Sequence, residues 1–129
     1  MGIMDLAAQA QQEVRNISVD EALAGRDSGR FVFVDVRDVR EMEKSGTIEG
    51  AHHAPRGMIE FWFDPESPYH REIYADKDKT YVLFCNGNPR SSLCAKALQD
   101  MGIGNVAQLK DGLPAWREAG GPTEARERK

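Results

Sequence analysis

The stretch YVLFCNGNPRSS, residues 81–92, runs from an apolar segment into a cysteine, a polar turn, an arginine and two serines. Its first four residues have the β-branched and aromatic character of a buried strand, and Cys85 follows directly. Asn88 then suits the N-cap of a helix, Pro89 its first position and Gly102 its C-terminal cap. The stretch therefore predicts a strand, a cysteine-bearing turn and a helix in direct succession.

The same alternation extends in both directions along the chain. A second apolar run, FVFVDV (31–36), predicts another strand covered on both faces, and NVAQLKDG (105–112) predicts a last short one. Helices are predicted in ISVDEALAG (17–25), which is expected to end at Gly25, in RDVREMEKSG (37–46), and in LPAWREAG (113–120), where Trp116 is expected to anchor the core. This order favours an α/β domain with a mainly parallel central sheet flanked by helices on both faces.

The length of 129 residues fits one domain. Residues 1–16 carry apolar side chains near helical spacing and are expected to form a short helix or an ordered arm. The domain proper is expected over residues 17–122, with an irregular stretch at 56–78 that holds a helical turn or two in RGMIEFWFD (56–64). Residues 123–129 form a charged tail that is expected to fray.

Composition excludes several classes of function. The chain is 40% apolar and 29% charged, as is usual for a soluble globular protein, and its net charge of −4 gives no general attraction to nucleic acid or anionic membranes. No apolar run is long enough to cross a bilayer, and the start lacks the order of a signal peptide, so a cytoplasmic location is expected. The two cysteines are expected to be free thiols, and no cofactor or metal site is predicted, since His52 and His53 would point to opposite faces of a strand.

The position of Cys85 suggests that it is a reactive cysteine. Ligands bind beyond the carboxyl ends of the strands in open α/β sheets, and backbone N–H groups of such a turn can cradle an anion beside a helix N-terminus. Arg90 adds a guanidinium, and electropositive surroundings of this kind favour the thiolate form of a cysteine. The alternative is a buried, inert cysteine at the end of a core strand. Cys94, which shares a helix face with Ala97, Leu98 and Met101, is interpreted as a packing residue.

Two longer segments carry a resemblance to a known family. FVDVRDVREMEKSGTIEGAHHAPRG (33–57) resembles the Asp-Val-Arg-Glu and Gly-x-Ile-x-Gly-Ala stretches of the rhodanese-like sulfurtransferases. FCNGNPRSSLCAKALQDMGIGNVAQLKDGLPAWREAGGP (84–122) is similar to the active-site loop, helix and closing Gly-Leu-x-x-Trp-x-x-x-Gly segment of that family. The resemblance covers residues 17–122.

This resemblance implies a specific chemistry. The family cysteine takes sulfane sulfur from a small anionic donor such as thiosulfate, holds it as a persulfide, and passes it to cyanide, a thiol or a sulfur-relay protein. By this resemblance Cys85 is the persulfide carrier and Asp35 and Arg37 brace the site, although an exposed surface ion pair stays an equal interpretation of Arg37. The residues implied to cradle the persulfide and donor are Asn86, Gly87, Asn88, Arg90 and Ser91.

Other functions of the same loop stay open. Four residues separate Cys85 from Arg90, whereas cysteine phosphatases use five, and one residue spans up to ~3.5 Å, so the shorter loop favours sulfur over a phosphoryl group. Pro89 has no N–H to donate, and Asn88 stands where the family often has glycine. A non-catalytic module that binds a partner or senses redox state is therefore the main alternative. A phosphatase or arsenate reductase ranks third.

Overall fold

The computed structural model describes residues 1–127, which form one mixed arrangement of helices and strands. In chain order the elements are α1 (Ile3–Glu13), β1 (Asn16–Ile17), α2 (Val19–Ser28), β2 (Phe31–Asp35), α3 (Val39–Ser45), β3 (Thr47–Ile48), β4 (His52–His53), α4 (Ile59–Phe63), a 3-10 turn (Glu72–Tyr74), β5 (Thr80–Phe84), α5 (Pro89–Asp100), β6 (Val106–Leu109), α6 (Gly112–Glu118) and β7 (Thr123–Glu124). Five strands make one sheet in the order β1-β6-β5-β2-β4, and all four pairings are parallel.

Helices cover both faces of this sheet, as the sequence predicts. Along β5 the side chains alternate: Tyr81 and Leu83 pack in one buried cluster with α4 and α5, and Val82 and Phe84 pack in a second cluster with α2 and α6. Trp116 is fully buried in the second cluster, which confirms its predicted role as a core anchor. The α/β architecture is thus confirmed, and β5 lies in the middle of the sheet with β2 and β6 on either side.

Two local predictions are wrong. Helix α2 does not end at Gly25 but continues to Ser28, and Gly29 ends it in the left-handed conformation at φ 77. Gly25 is instead needed inside the helix, because a Cβ there would overlap the ring of Phe31. Met101, expected to be buried beside Cys94, is 42% exposed because it lies at the C-terminal end of α5.

Both ends of the described chain are ordered against the domain. The leading segment forms α1, which packs on α5 and buries Ala7 and Ala10. In the charged tail, Thr123 and Glu124 do not fray but pair antiparallel with β3. The rest of the predicted tail includes residues 128–129, which lie outside the described residues. The proposed boundaries after residues 16 and 122 stay predictions.

The irregular segment between β4 and β5 covers the edge of the sheet. It contains the expected short helix, α4, and packs Phe63 and Tyr74 in the core, where their rings stack with centroids 4.4 Å apart, whereas Phe61 and Tyr69 are exposed. Burial raises the pKa of Tyr74 to about 12. Among residues 1–127, the helices are all too short or too polar to span a membrane.

Candidate active site

Cys85 lies one residue beyond the carboxyl end of the central strand β5. Its side chain is only 1% exposed and its Sγ lies 3.4 Å from the Oγ of Ser91, in the first turn of α5. The predicted nucleophile therefore points into the start of a helix and not into bulk water. The sulfur also borders the apolar cluster formed by α4 and α5, so its surroundings are mixed.

The turn after Cys85 presents unpaired backbone donors. The N–H groups of five of its residues find no protein acceptor within residues 1–127, and the first backbone bond of α5 runs from Ser92 N to Asn88 O at 3.0 Å. Pro89 contributes no donor, as the sequence indicates. Free N–H groups at a helix start favour negative charge, so this turn can bind an anion. The five donors belong to the five predicted cradle residues, Asn86, Gly87, Asn88, Arg90 and Ser91.

A buried ion pair holds the first residue of this turn. Asp35 and Arg37 are both fully buried, and the Arg37 Nη2 lies 2.8 Å from Asp35 Oδ2. The same guanidinium donates to the carbonyl oxygen of Gly46 at 2.6 Å, to Ser45 Oγ at 3.2 Å and to the Asn86 side-chain oxygen at 3.2 Å. The surface ion-pair interpretation of Arg37 is therefore wrong, because all its donors are used inside the protein.

Neighbouring groups complete the surroundings of that pair. Thr47 Oγ1 donates to Asp35 Oδ2 at 2.8 Å, and the ring N–H of His53 donates to the Arg37 carbonyl oxygen at 2.7 Å. His53 thus has a structural partner in the backbone of Arg37. The contacts join β2, β3 and β4 to the loop that follows β5.

Arg90 makes a contact that the sequence interpretation missed. Its guanidinium donates two hydrogen bonds to the carboxylate of Glu41, at 2.7 and 3.1 Å. This pairing lowers the pKa of Glu41 and raises the pKa of Arg90, and the negative charge of a Cys85 thiolate adds a smaller upward effect on the Arg90 pKa. Arg90 therefore lies close enough to sense charge at Cys85, but Glu41 already neutralises much of its own charge.

Asn88 occupies the N-cap position of α5 without capping it. It adopts φ −116 and makes no side-chain cap bond, so its backbone does not require a glycine at this position. Its side-chain oxygen accepts from Asp111 N at 2.8 Å, and its amide donates to Asp111 Oδ1 at 3.1 Å. The side chain thus ties the turn to the loop before α6 and leaves the helix start open.

The backbone of Gly112 lies in close contact with the same turn. It has φ 65, and an added Cβ would overlap the Cys85 carbonyl oxygen and lie 2.7 Å from Gly87 N. The next residue, Leu113, donates its N–H to that carbonyl oxygen at 3.0 Å. Glycine is required here both by backbone conformation and by the approach of the loop.

Replacement of Gly112 by alanine should destabilise the protein by more than the cost of a left-handed backbone alone. We expect Gly112→Ala to lose about 1–2 kcal/mol for the left-handed backbone and a further ~1–3 kcal/mol for the overlap. Gly120→Ala is a matched control, because Gly120 has φ 82 but nothing within 4 Å of its added Cβ. Urea unfolding of both variants measures the difference, and equal losses would contradict the close contact.

Cys94 behaves as predicted from its helical position. It is 2% exposed in the cluster between α4 and α5, which confirms the packing interpretation. Burial raises the pKa of its thiol to about 12. At neutral pH it is therefore a neutral side chain, and Cys85 is the cysteine that directly precedes the turn with the open donors.

Comparisons with known proteins agree with this geometry. Residues 18–119 match the Rhodanese-like domain model. A sulfurtransferase of Allochromatium vinosum is 29% identical over 115 residues, which cover 89% of this chain and 96% of that protein. A tRNA uridine(34) hydroxylase of Burkholderia ambifaria is 33% identical over 101 residues, but the match covers 74% of this chain and only 33% of the hydroxylase.

A solved structure gives a close overall match. A Rhodopseudomonas palustris protein, described as of unknown function and a possible tyrosine phosphatase, is 44% identical with a TM-score of 0.88, and the match covers 96% of this chain and 95% of that one. The family match includes four of the five strands of the parallel sheet, β2, β4, β5 and β6, and the whole cysteine-bearing turn. This chain therefore belongs to the rhodanese-like domain family.

Proposed function

We propose that the protein is a sulfurtransferase that carries sulfane sulfur as a persulfide on Cys85. The observation that carries the proposal is the placement of the Cys85 sulfur at the start of α5, beside a turn with five unpaired N–H donors. These donors suit an anionic donor molecule and an anionic persulfide alike. The family and the sulfurtransferase relative support the same reaction class.

The transfer has two steps. The Cys85 thiolate attacks the outer sulfur of a donor such as thiosulfate, the donor S–S bond breaks, and sulfite leaves with the electron pair. A thiophilic acceptor then attacks the outer sulfur of the persulfide, and the Cys85 thiolate is restored. The backbone donors stabilise the negative charge in both steps without any bound metal or cofactor, so the chemistry needs only this chain and its two substrates.

The proposal includes the partners and the location. The donor is a small sulfur-containing anion, and the acceptor is cyanide, a thiol or a sulfur-relay protein. Nucleic acid and membranes are not partners, because the net charge is negative and the site needs only a small anion. A cytoplasmic location fits two free cysteines that a reducing compartment keeps unpaired.

Intact mass spectrometry of the purified protein tests the proposal. After incubation with thiosulfate and removal of the donor, the protein should gain the mass of one sulfur atom, and added cyanide should release that sulfur as thiocyanate. Peptide mapping should locate the sulfur on Cys85. A protein that takes up no sulfur from thiosulfate, from an organic thiosulfonate or from a persulfide donor would favour the partner-binding or redox-sensing module.

The Rhodopseudomonas protein supports a second candidate, a tyrosine phosphatase. Four residues separate Cys85 from Arg90 in this chain, and Arg90, the residue that would clamp a phosphoryl group, is bound to Glu41. The shorter loop favours sulfur transfer, and the Arg90–Glu41 pair leaves the phosphoryl clamp occupied. Turnover of an aryl phosphate that depends on Cys85, without sulfur uptake, would reverse this order.

The Arg90–Glu41 pair gives a prediction about donor binding. Glu41→Gln should lower the KM for thiosulfate about two- to five-fold, the ratio that corresponds to ~0.5–1 kcal/mol for a partly exposed ion pair, because it returns a full positive charge to Arg90 near the site. Glu43→Gln, on the same helix α3, removes the same charge from a carboxylate that makes no hydrogen bond or ion pair within residues 1–127. Steady-state kinetics of both variants separates the local effect from net charge, and an unchanged KM in Glu41→Gln would show that Arg90 does not contact the donor.

A further inference from the structure

A buried glutamine on β6 connects to the sulfur through Ser91. Gln108 is fully buried, and its side-chain carbonyl oxygen accepts a hydrogen bond from Ser91 Oγ at 2.9 Å. Ser91 Oγ is in turn 3.4 Å from Cys85 Sγ. The Gln108 side chain is therefore one hydroxyl group away from the reacting atom, although the proposed transfer assigns it no role.

The orientation of the Gln108 amide is fixed by its other neighbours. Its Nε2 donates to Asn16 Oδ1 at 2.5 Å and to Asn88 Oδ1 at 3.1 Å. Asn16 cannot reverse its own amide, because its Nδ2 donates to the backbone carbonyl oxygens of Gln11 and Val14 at the end of α1. Gln108 must therefore turn its nitrogen toward the two asparagines and its oxygen toward Ser91.

The hydroxyl group of Ser91 has one proton and three groups that compete for it: the Gln108 oxygen at 2.9 Å, the Asn88 carbonyl oxygen at 3.3 Å and the Cys85 sulfur at 3.4 Å. The Asn88 carbonyl oxygen is the weaker competitor of the two oxygens, because it lies farther away and already accepts from Ser92 N. The Gln108 oxygen lies in a fully buried side chain and has no other donor within residues 1–127, so losing the hydroxyl proton would leave it unsatisfied. The backbone N–H groups of the turn after Cys85 find no protein acceptor within residues 1–127, so negative charge at this site does not depend on the Ser91 proton. The proton of Ser91 thus belongs on Gln108, and Ser91 offers the sulfur only its lone pairs.

We propose that Gln108 is a positioning residue that holds the Ser91 proton away from the Cys85 sulfur. In the resting protein the Cys85 thiol can then donate its S–H to the Ser91 oxygen. Once an outer sulfur is attached, the inner sulfur has no proton to donate and the negative charge resides on the outer atom, where the backbone donors of the turn remain available. The proposed role in the persulfide rests on the proposed function, whereas the direction of the Ser91 hydrogen bond does not.

The rate of Cys85 alkylation by iodoacetamide as a function of pH tests this hydrogen bond without any sulfur donor. Gln108→Met should free the Ser91 proton to bind the thiolate, and it should lower the pH of half-maximal alkylation by about one unit, the size expected for one hydrogen bond to a charged group. Ser91→Ala should not raise that pH, because wild-type Ser91 gives the thiolate no proton. In the double variant the effect of Gln108→Met should vanish.

Several outcomes would overturn the proposal. A rise in the alkylation pH of Ser91→Ala by about one unit would show that Ser91 donates to the sulfur, and this variant decides the question even if Gln108→Met does not fold. An unchanged alkylation profile in folded Gln108→Met would also overturn the proposal. Gln99→Met is the matched control, because Gln99 is exposed on α5, donates only to the Glu13 carbonyl oxygen and should keep the wild-type profile.

The same measurements separate this inference from the proposed function. If the protein takes up sulfur normally but the alkylation profiles of the variants do not shift as expected, only the role of Gln108 fails. If the profiles shift as expected but no sulfur is taken up from any donor, the sulfurtransferase proposal fails and the hydrogen-bond assignment to Ser91 stands. Peptide mapping of the alkylated protein confirms that the signal comes from Cys85 and not from Cys94.

Discussion

Cys85→Ser is expected to reduce thiocyanate formation from thiosulfate and cyanide to the uncatalysed level. A serine hydroxyl cannot hold a sulfane sulfur, and at neutral pH it is far less nucleophilic than a thiolate. The variant should also show no gain of mass after treatment with thiosulfate. Its fold should persist, because the new hydroxyl group is close in size to the thiol and lies beside a polar partner, Ser91.

The second cysteine provides the control for that experiment. Cys94→Ala keeps the proposed nucleophile and removes a buried thiol in the cluster between α4 and α5. It should lose about 1 kcal/mol of stability for the deleted atom and its small cavity, while sulfur uptake remains at one atom per chain. Sulfur uptake by Cys85→Ser, or loss of uptake in Cys94→Ala, would indicate that Cys94 carries the persulfide.

The second large effect is expected at the ion pair below the loop. Arg37→Met should lower the free energy of unfolding by about 3–5 kcal/mol, because it leaves the fully buried Asp35 carboxylate without its cation. Methionine fills much of the same volume, so the loss reports charge more than packing. The Asn86 side chain also loses a donor, and sulfur transfer should decrease even at temperatures where the variant stays folded.

An exposed pair with the same sequence spacing gives a direct comparison. Arg40 donates to Asp38 at 3.0 Å, but the Arg40 side chain is 85% exposed. Arg40→Met should therefore change stability by less than about 1 kcal/mol. Urea unfolding at neutral pH measures both variants, and a similar small loss in Arg37→Met would mean that water or a rearranged side chain compensates Asp35.

Much of the fold could be predicted because local patterns and long-range packing agree. The runs at 31–36 and 80–85 are rich in β-branched and aromatic residues, and a sheet covered on both faces buries such runs. Asn88, Pro89 and Gly102 mark the limits of α5 within one residue. Gly25 misled the prediction because a glycine signals both a helix end and a close contact, and only the position of Phe31 decides between them.

The details of the site depended on contacts between distant segments. The sequence indicated Cys85 and its turn, but nothing local shows that Arg90 pairs with Glu41, 49 positions away. The D-x-x-E capping box of Asp38 and Glu41 was the available signal for a carboxylate at the start of α3. Gln108 had no signal at all, since a polar residue in a short strand looks the same whether it faces solvent or a buried serine. Which residues act in transfer stays a prediction until the variants are measured.

The hydrogen bonds around the loop also bear on how the protein is made. Cys85 is held by the N–H of Leu113, and Asn86 by the guanidinium of Arg37, so groups from both sides of the loop in the chain must be in place. A ribosome that has just added Cys85 has not yet added Leu113. Early in synthesis the thiol therefore lacks part of its support, and its reactivity toward sulfur donors should develop only as the finished chain folds.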